Sequence, residues 1–311
     1  MSDAVLAVTA NPAIDQTVWI PSFRAGEVNR VVREDTSAGG KGVNVAAFLT
    51  GYGVPVFATG FLGDRNARLF EDFFAGAGID HDFVRVDAAT RTGVKIVDAD
   101  RGETTDINFP GFAVGDADID ALERRLAERV TAGQWVALAG SLPSGAPVDT
   151  YRRLTGALRR QGALVALDTS GPALAAALPA GPDLVKPNRA ELEELTGRSL
   201  DRRADLIAAA RELVASGVGF VIVSDGAAGA LFVRGEEAVH ATPPPVQVAS
   251  TVGAGDAMVA GTIAGMVGGL PLDEIAALAT AFSAVAIARV GPHLDADAVR
   301  EAAAAVTVEQ Q

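Results

Sequence analysis

The chain has no cysteine, only three histidines among its 311 residues, and 5% aromatic residues. The first absence excludes a disulfide framework, thiolate metal ligands and a cysteine nucleophile. The second leaves too few imidazoles for a histidine-built metal centre. Positive charge is also in deficit. The formal net charge is −13 at pH 7, which argues against a partner that is duplex nucleic acid or an anionic membrane. Long apolar runs are missing too. The Ala- and Gly-rich uncharged stretches 257–272 and 275–288 fall short of the roughly 20 residues that cross a bilayer, and the longer uncharged stretch 42–63 is broken by Gly51, Gly53 and Pro55. Their Ala and Gly content suits closely packed, buried helices. Asp3 stands where a secretion signal would have a basic region, so a cytoplasmic protein is expected. What is present, 49% apolar and 21% charged residues, is an ordinary globular balance. It is expected to form one large α/β unit over residues 1–311.

Lysine is scarce as well. Of 26 basic residues only Lys41, Lys95 and Lys186 are lysines. Two of them lie in dense clusters, Gly39-Gly40-Lys41-Gly42 and Lys186-Pro187-Asn188. A compact ammonium in such a turn suits a phosphate contact. The plainer alternative is the chance survival of surface lysines.

The first third of the chain reads as strands at 5–9, 17–20, 27–35 and 55–60, with a helix at 43–51 and a second helix capped by Asp64 and running through Phe74. Three further runs, 82–86, 93–98 and 103–109, have little helix between them and suit an antiparallel patch or flap. From residue 116 helices and strands alternate: strands at 135–139, 164–168 and 183–186 follow helices at 116–130, 148–161 and 172–178, and the strand at 220–224 follows two helices, 189–196 and 202–216. That rhythm predicts a mostly parallel sheet with helices on both faces. Strands at 230–234 and 237–241 and helices at 254–268, 271–289 and 295–305 close the chain. The exposed strands of segments 15–36 and 90–110 fall outside the rhythm and predict a separate small sheet, a lid.

Thr251-Val252-Gly253-Ala254-Gly255-Asp256 opens an Ala/Gly-rich helix. Small residues at a helix start leave backbone N–H groups open to an anion, and a carboxylate beside that anion suits a proton acceptor. A plain Gly-rich turn with Asp256 near the cap is the alternative. A dinucleotide fingerprint fails here, because Met258 stands where G-x-G-x-x-G needs its third glycine, which argues against a nicotinamide-dependent dehydrogenase. Polar turns follow the predicted strands at Asn11–Asp15, Gly140–Pro143, Asp168–Gly171, Lys186–Glu191 and Ser224–Gly226. In open parallel sheets ligands sit outside the carboxyl ends of the strands.

Gly39-Gly40-Lys41-Gly42-Val43-Asn44 together with Thr251-Val252-Gly253-Ala254-Gly255-Asp256 resembles the paired signatures of the ribokinase-like (PfkB) carbohydrate kinase family. The resemblance runs from Asn11 to about Arg289. Asn11-Pro-Ala-Ile-Asp15, Gly26-Glu27-Val28-Asn29-Arg30, Thr90-Arg91-Thr-Gly-Val-Lys95 and Thr105-Asp106-Ile-Asn108-Phe-Pro-Gly111 are most similar to the branch that phosphorylates fructose 1-phosphate. Tagatose-6-phosphate kinases are the close rival. The resemblance implies a Rossmann-like fold with a β lid, ATP and Mg²⁺ as cofactors, and often a homodimer through the lids. A monovalent cation is common in the family. Asp256 matches the catalytic base, and Gly253, Ala254 and Gly255 match the anion hole. Asp15, Gly39, Gly40 and Asn44 match sugar-binding positions, with Lys41 and Arg91 near the phosphate already on the sugar. Lys186, Asn188, Ser224, Gly226, Gly229 and Thr251 match the nucleotide side. Glu191, with Asn188, matches an element tied indirectly to magnesium. A silent sensor of sugar phosphate or nucleotide on the same fold is the reading from another class, and intact Asp256 argues against it.

Overall fold

The computed structural model describes residues 4–311. In chain order the elements are β1 (Val5–Thr9), β2 (Ala13–Trp19), β3 (Arg33–Gly39), α1 (Lys41–Tyr52), β4 (Val56–Gly63), α2 (Arg68–Ala77), β5 (Asp80–Val86), β6 (Arg91–Asp98), β7 (Glu103–Asn108) and α3 (Asp116–Arg129). They continue as β8 (Trp135–Ala139), α4 (Thr150–Arg160), β9 (Leu164–Asp168), α5 (Gly171–Ala177), β10 (Leu184–Val185), α6 (Arg189–Thr196), α7 (Arg203–Ala215) and β11 (Val221–Ser224). The last are β12 (Ala230–Arg234), β13 (Glu237–Thr242), α8 (Ala254–Val267), α9 (Leu272–Ile287), α10 (Ala296–Ala305) and β14 (Thr307–Gln310).

Ten strands form one sheet in the order β14-β13-β12-β11-β10-β9-β8-β1-β4-β5. Pairing is parallel from β11 across to β5 and antiparallel from β11 out to β14. The parallel strands are buried on both faces, as the unbroken apolar runs of β1 and β8 require. One face packs on α1, α8 and α9, the other on α3, α4 and α7. Sequence neighbours part at β1: the chain continues to β4 and β5 on one side, then crosses back to β8 on the other. Such a switch point leaves a crevice at the carboxyl ends of the strands. Helix α1 can lie close over β1 because residue 42 is glycine; a Cβ there would come within 2.5 Å of the Val8 carbonyl oxygen.

A second sheet of four strands, β3-β2-β6-β7, covers that crevice. It is the lid expected from the sequence, with three corrections. Its central pair β2–β6 is parallel, so it is a mixed sheet rather than an antiparallel one. Residues 82–86 are not part of it; β5 joins the edge of the large sheet beside β4. Residues 27–32 form no strand, and β3 begins at Arg33 and runs straight into the Gly39-Gly40 turn. Asp64 does not cap α2. It lies in a short 3-10 turn and pairs with Arg85 at 3.4 Å. Strand β14 has no counterpart in the sequence reading, because its charged and polar side chains give no buried pattern.

Candidate active site

Four loops from the large sheet and the inner face of the lid meet in a cleft of about 1030 Å³, open mouth included. On the floor, α8 starts at Gly253, whose φ of 83° places it in the left-handed region that favours glycine. Among the described residues no side chain caps this helix, so its first N–H groups remain open to an anion. Asp256 stands in that first turn, 5% exposed, and accepts a 2.7 Å hydrogen bond from Asn44 Nδ2 of α1. Burial pushes the Asp256 carboxyl up to about 6; Lys41 pulls the other way and Asp168 adds to the rise.

Asp168, at the end of β9, is the residue that the sequence reading left unassigned among its polar turns. It is 2% exposed and takes Lys41 Nζ on both oxygens, at 3.0 and 3.1 Å. Lys186 Nζ lies 3.9 Å away, and the end of that side chain packs over Gly255, where a Cβ would meet it at 2.9 Å. Burial opposes charge on Asp168, but Lys186 and then Lys41 outweigh it and hold the carboxyl below the usual range. Burial also opposes charge on Lys41; Asp168, followed by Asp256, holds its pKa above the ordinary lysine value. Two ammonium groups and two carboxylates, brought from α1, β9, the end of β10 and α8, thus form one cluster, buried except where Lys41 opens to the cleft.

Beyond Lys186 the wall is built by Asn188, Glu191 and Ser224. Asn188 caps α6 by accepting from the Glu191 N–H at 2.9 Å, and Glu191 returns a carboxylate oxygen to the Asn188 N–H at 2.8 Å. An isolated parallel bridge joins Asn188 to Ser224, and Arg189 pairs with Asp225. These contacts tie the α6 start to the end of β11. Among the described residues no group of three or more His, Cys, Asp or Glu could cage a metal ion. A single Glu191 suits Mg²⁺, which keeps several waters and is usually held by one or two carboxylates plus substrate phosphates.

The opposite wall is the lid. Asp15 on β2 fits against Gly39, where a Cβ would fall 2.2 Å from its Oδ2. Arg91 at the start of β6 is half-buried and donates to the carbonyls of Phe109 and Asn11 at 3.4 and 3.5 Å. Burial lowers its pKa, and Asp15 opposes the fall. Lys95, Asp106 and Asn108 also line the cleft and were missed as site residues. All three lie in the lid motifs that carry the family resemblance, at 90–95 and 105–111, which marked those segments without giving these residues a role.

Of the residues singled out from sequence, Asp15, Gly40, Lys41, Asn44, Arg91, Lys186, Asn188, Glu191, Ser224, Gly253, Gly255 and Asp256 converge on this one cleft. Gly39 and Ala254 adjoin it in the chain. Thr251 sits on an exposed turn just before it, and Gly226 and Gly229 lie in the β11–β12 turn beyond Ser224.

Residues 5–298 match the pfkB family of carbohydrate kinases. The chain is 54% identical over 295 residues to a 1-phosphofructokinase from Rhodobacter capsulatus, covering 94% of this chain and 93% of that protein. Its fold is similar to the phosphofructokinase-2 of Escherichia coli in complex with fructose-6-phosphate, with a TM-score of 0.91 at 29% identity over 97% of this chain and 99% of that one. The potassium complex of the same enzyme gives a TM-score of 0.92 at 30% identity, over the same shares of the two chains.

Proposed function

The chain belongs to the pfkB family of carbohydrate kinases, and from that premise we propose that it transfers the γ-phosphoryl group of ATP to the free primary hydroxyl of fructose 1-phosphate, giving fructose 1,6-bisphosphate and ADP. The observation that carries the reading is the position of Asp256: a buried carboxylate in the first turn of an uncapped helix, between a nucleotide-side wall and a sugar-side lid. A carboxyl near 6 is largely ionised at neutral pH yet basic enough to accept a hydroxyl proton.

Phosphoryl transfer asks for positioning and charge neutralisation more than covalent work. The N–H groups of Gly253, Ala254 and Gly255 face the phosphoryl group in transit. Lys41 and Lys186, held by Asp168, offset its charge from either side. Lys186, Asn188 and Ser224 hold the nucleotide, with Gly226, Gly229 and Thr251 in the turns around it. Glu191 would hold Mg²⁺, which would supply positive charge against the nucleotide phosphates. Asp15, Gly39, Gly40 and Asn44 seat the sugar, and Arg91 meets the phosphate it already carries. We infer that Lys41, which the resemblance sets near the phosphate already on the sugar, faces the group in transit instead, since it bonds both oxygens of Asp168 beside Asp256. Closure of the lid excludes water and so limits idle hydrolysis of ATP. The potassium complex of the Escherichia coli enzyme supports a monovalent-cation site in this chain as well.

We also read the enzyme as a cytoplasmic homodimer. Val28, Val31, Val32, Ile107 and Phe109, all of the lid or its loops, are 90%, 49%, 68%, 46% and 50% exposed. A second copy of the chain would cover them. ADP release from ATP with a panel of sugars tests the catalytic reading. Fructose 1-phosphate should give the highest kcat/KM, ahead of tagatose 6-phosphate and fructose 6-phosphate. Preference for fructose 6-phosphate would move the chain toward the Escherichia coli phosphofructokinase-2, and no ADP with any sugar phosphate would make it a sensor.

A further inference from the structure

The third lysine of the chain lies on the lid, away from both signatures and from the carboxyl edge of the large sheet. Side chains alternate along a strand, so Arg91, Gly93 and Lys95 share one face of β6, and both cations line the cleft. Gly93 between them has no side chain, and Asp15 and Asn108 take the space. A Cβ built there would stand 3.3 Å from Asp15 Oδ1 and 3.6 Å from Asn108 Oδ1. Arg91 and Lys95 are about 13 Å apart along the strand, so two long cationic side chains bracket the spot where Asp15 Oδ1 and Asn108 Oδ1 lie over Gly93.

Neither cation is well used. Arg91 Nε is buried and has no hydrogen-bond partner among the described residues, and its other donors reach carbonyls only at 3.4 and 3.5 Å. The Lys95 side chain is 14% exposed, and its ammonium lies 3.5 Å from Asp15 Oδ1, well beyond the 2.7–2.9 Å of a good charged hydrogen bond. Asp106 is its cross-strand neighbour and lines the cleft as well. The other two lysines are committed elsewhere, Lys41 to both oxygens of Asp168 and Lys186 to the space over Gly255.

We propose that Lys95, with Arg91, seats the phosphate that the acceptor sugar already carries, and that Lys95 thereby selects a sugar monophosphate over the free sugar. The inference rests on the kinase reading above. A phosphate drawn to Lys95 replaces one long contact with a short one and frees Asp15 to accept hydrogen bonds from sugar hydroxyls. Asp15 and Asp106 compete for the same ammonium and set the limit on the affinity gained.

Lys95→Met keeps the length of the side chain and removes its charge. Steady-state kinetics with fructose 1-phosphate and with free fructose would be compared in the wild type, Lys95→Met and Lys95→Arg. Lys95→Met should lower kcat/KM for fructose 1-phosphate by about 10- to 150-fold, the span of one charge-assisted hydrogen bond. Most of that loss should appear in KM, with KM for ATP unchanged. Turnover of free fructose should stay within about twofold of wild type, and Lys95→Arg should recover most of the lost activity. Equal losses toward both sugars would make Lys95 a holder of Asp15 and overturn the proposal, as would a Lys95→Met enzyme with wild-type kinetics. Should Lys95→Met be unstable, Lys95→Gln is read in the same way, together with the melting-temperature gain given by fructose 1-phosphate and by MgATP. Loss of the first gain alone supports the proposal, and retention of both overturns it. A wild type that turns over no sugar monophosphate sinks the kinase reading itself. A wild type that does, beside an unaffected variant, sinks this inference alone.

Discussion

On the floor of the cleft Asp168 and Asp256 are 2% and 5% exposed, and the strands that end there are buried on both faces. On the lid every residue of β7 is exposed, and the apolar core amounts to Val18, Ile20 and Ile96. A clasp holds the tip of the lid instead: the buried Asp98 carboxylate accepts from the N–H groups of Ser22, Phe23 and Asp100 at 3.0, 2.8 and 3.1 Å. The two walls thus meet different demands. Charges that must act on a phosphoryl group in transit gain from a dry, fixed setting, because Coulomb interactions strengthen as water is excluded. A wall that must open and close gains from having little apolar contact to break. The ion pairs follow the same division. On the floor Lys41 binds Asp168 at 3.0 Å, whereas on the lid Lys95 stands 3.5 Å from Asp15. The floor holds its charges in place before any ligand arrives, and the lid keeps its own loosely paired.

The contrast can be broken most sharply at Asp256. Asp256→Asn keeps the shape and can still accept from Asn44, but it cannot take a proton. It should lower kcat by about 10²- to 10⁴-fold with KM for ATP nearly unchanged. A variant that keeps more than about a tenth of wild-type kcat would remove Asp256 from the role of base. The wild-type rate should fall as pH drops through about 6, where the carboxyl protonates. The effect on stability has the opposite sense. The folded-state pKa is raised, so the protonated form favours folding, and that contribution is lost as pH rises through about 6. Asp256→Asn should therefore melt higher than wild type at pH 8 and show no such gain at pH 4.

Next in size is Asp168→Asn, which leaves Lys41 and Lys186 without their shared anion. Breaking a buried pair from one side costs about 3–5 kcal/mol. The low end is expected, since the Lys41 side chain is 38% exposed. Chemical denaturation would check this, and a loss below about 1 kcal/mol would mean that the cluster is hydrated and less fixed than the floor is argued to be. The smallest effect belongs to the lid. Val32→Ser with Phe109→Ser should give a monomer by light scattering at micromolar concentration. The melting temperature should shift by only about 2–4 °C, the scale of 1 kcal/mol in a large domain. A wild type that is already monomeric would sink the dimer and leave the lid standing.

Most strands and helices of the large sheet were legible because their patterns are local. Continuous apolar runs mark strands buried on both faces, and Gly-rich turns mark helix starts. The lid was legible only as a departure from the β-α rhythm. That β2 and β6 lie side by side and parallel is a pairing across more than seventy residues, and alternation of side chains says nothing about which strand will be the neighbour. Asp64 shows the same limit on a smaller scale. It has the chemistry of a cap, but Arg85 on the adjacent strand gave it another partner.

The sequence by itself determined the two glycine-rich signatures, and with them the base candidate, the anion-binding turn and the family, because these depend on residues adjacent in the chain and on backbone that only small side chains permit. Tertiary structure alone decided which charges meet. Asp168 is one polar turn among five in the sequence, and Lys95 ends a family motif with no role attached to it. One became the hub of the buried cluster because β9 ends between α1 and β10, and the other became a cleft residue because β6 turns that face inward. The interaction of two charges depends on their separation in space and on the water between them, and neither quantity is written along the chain.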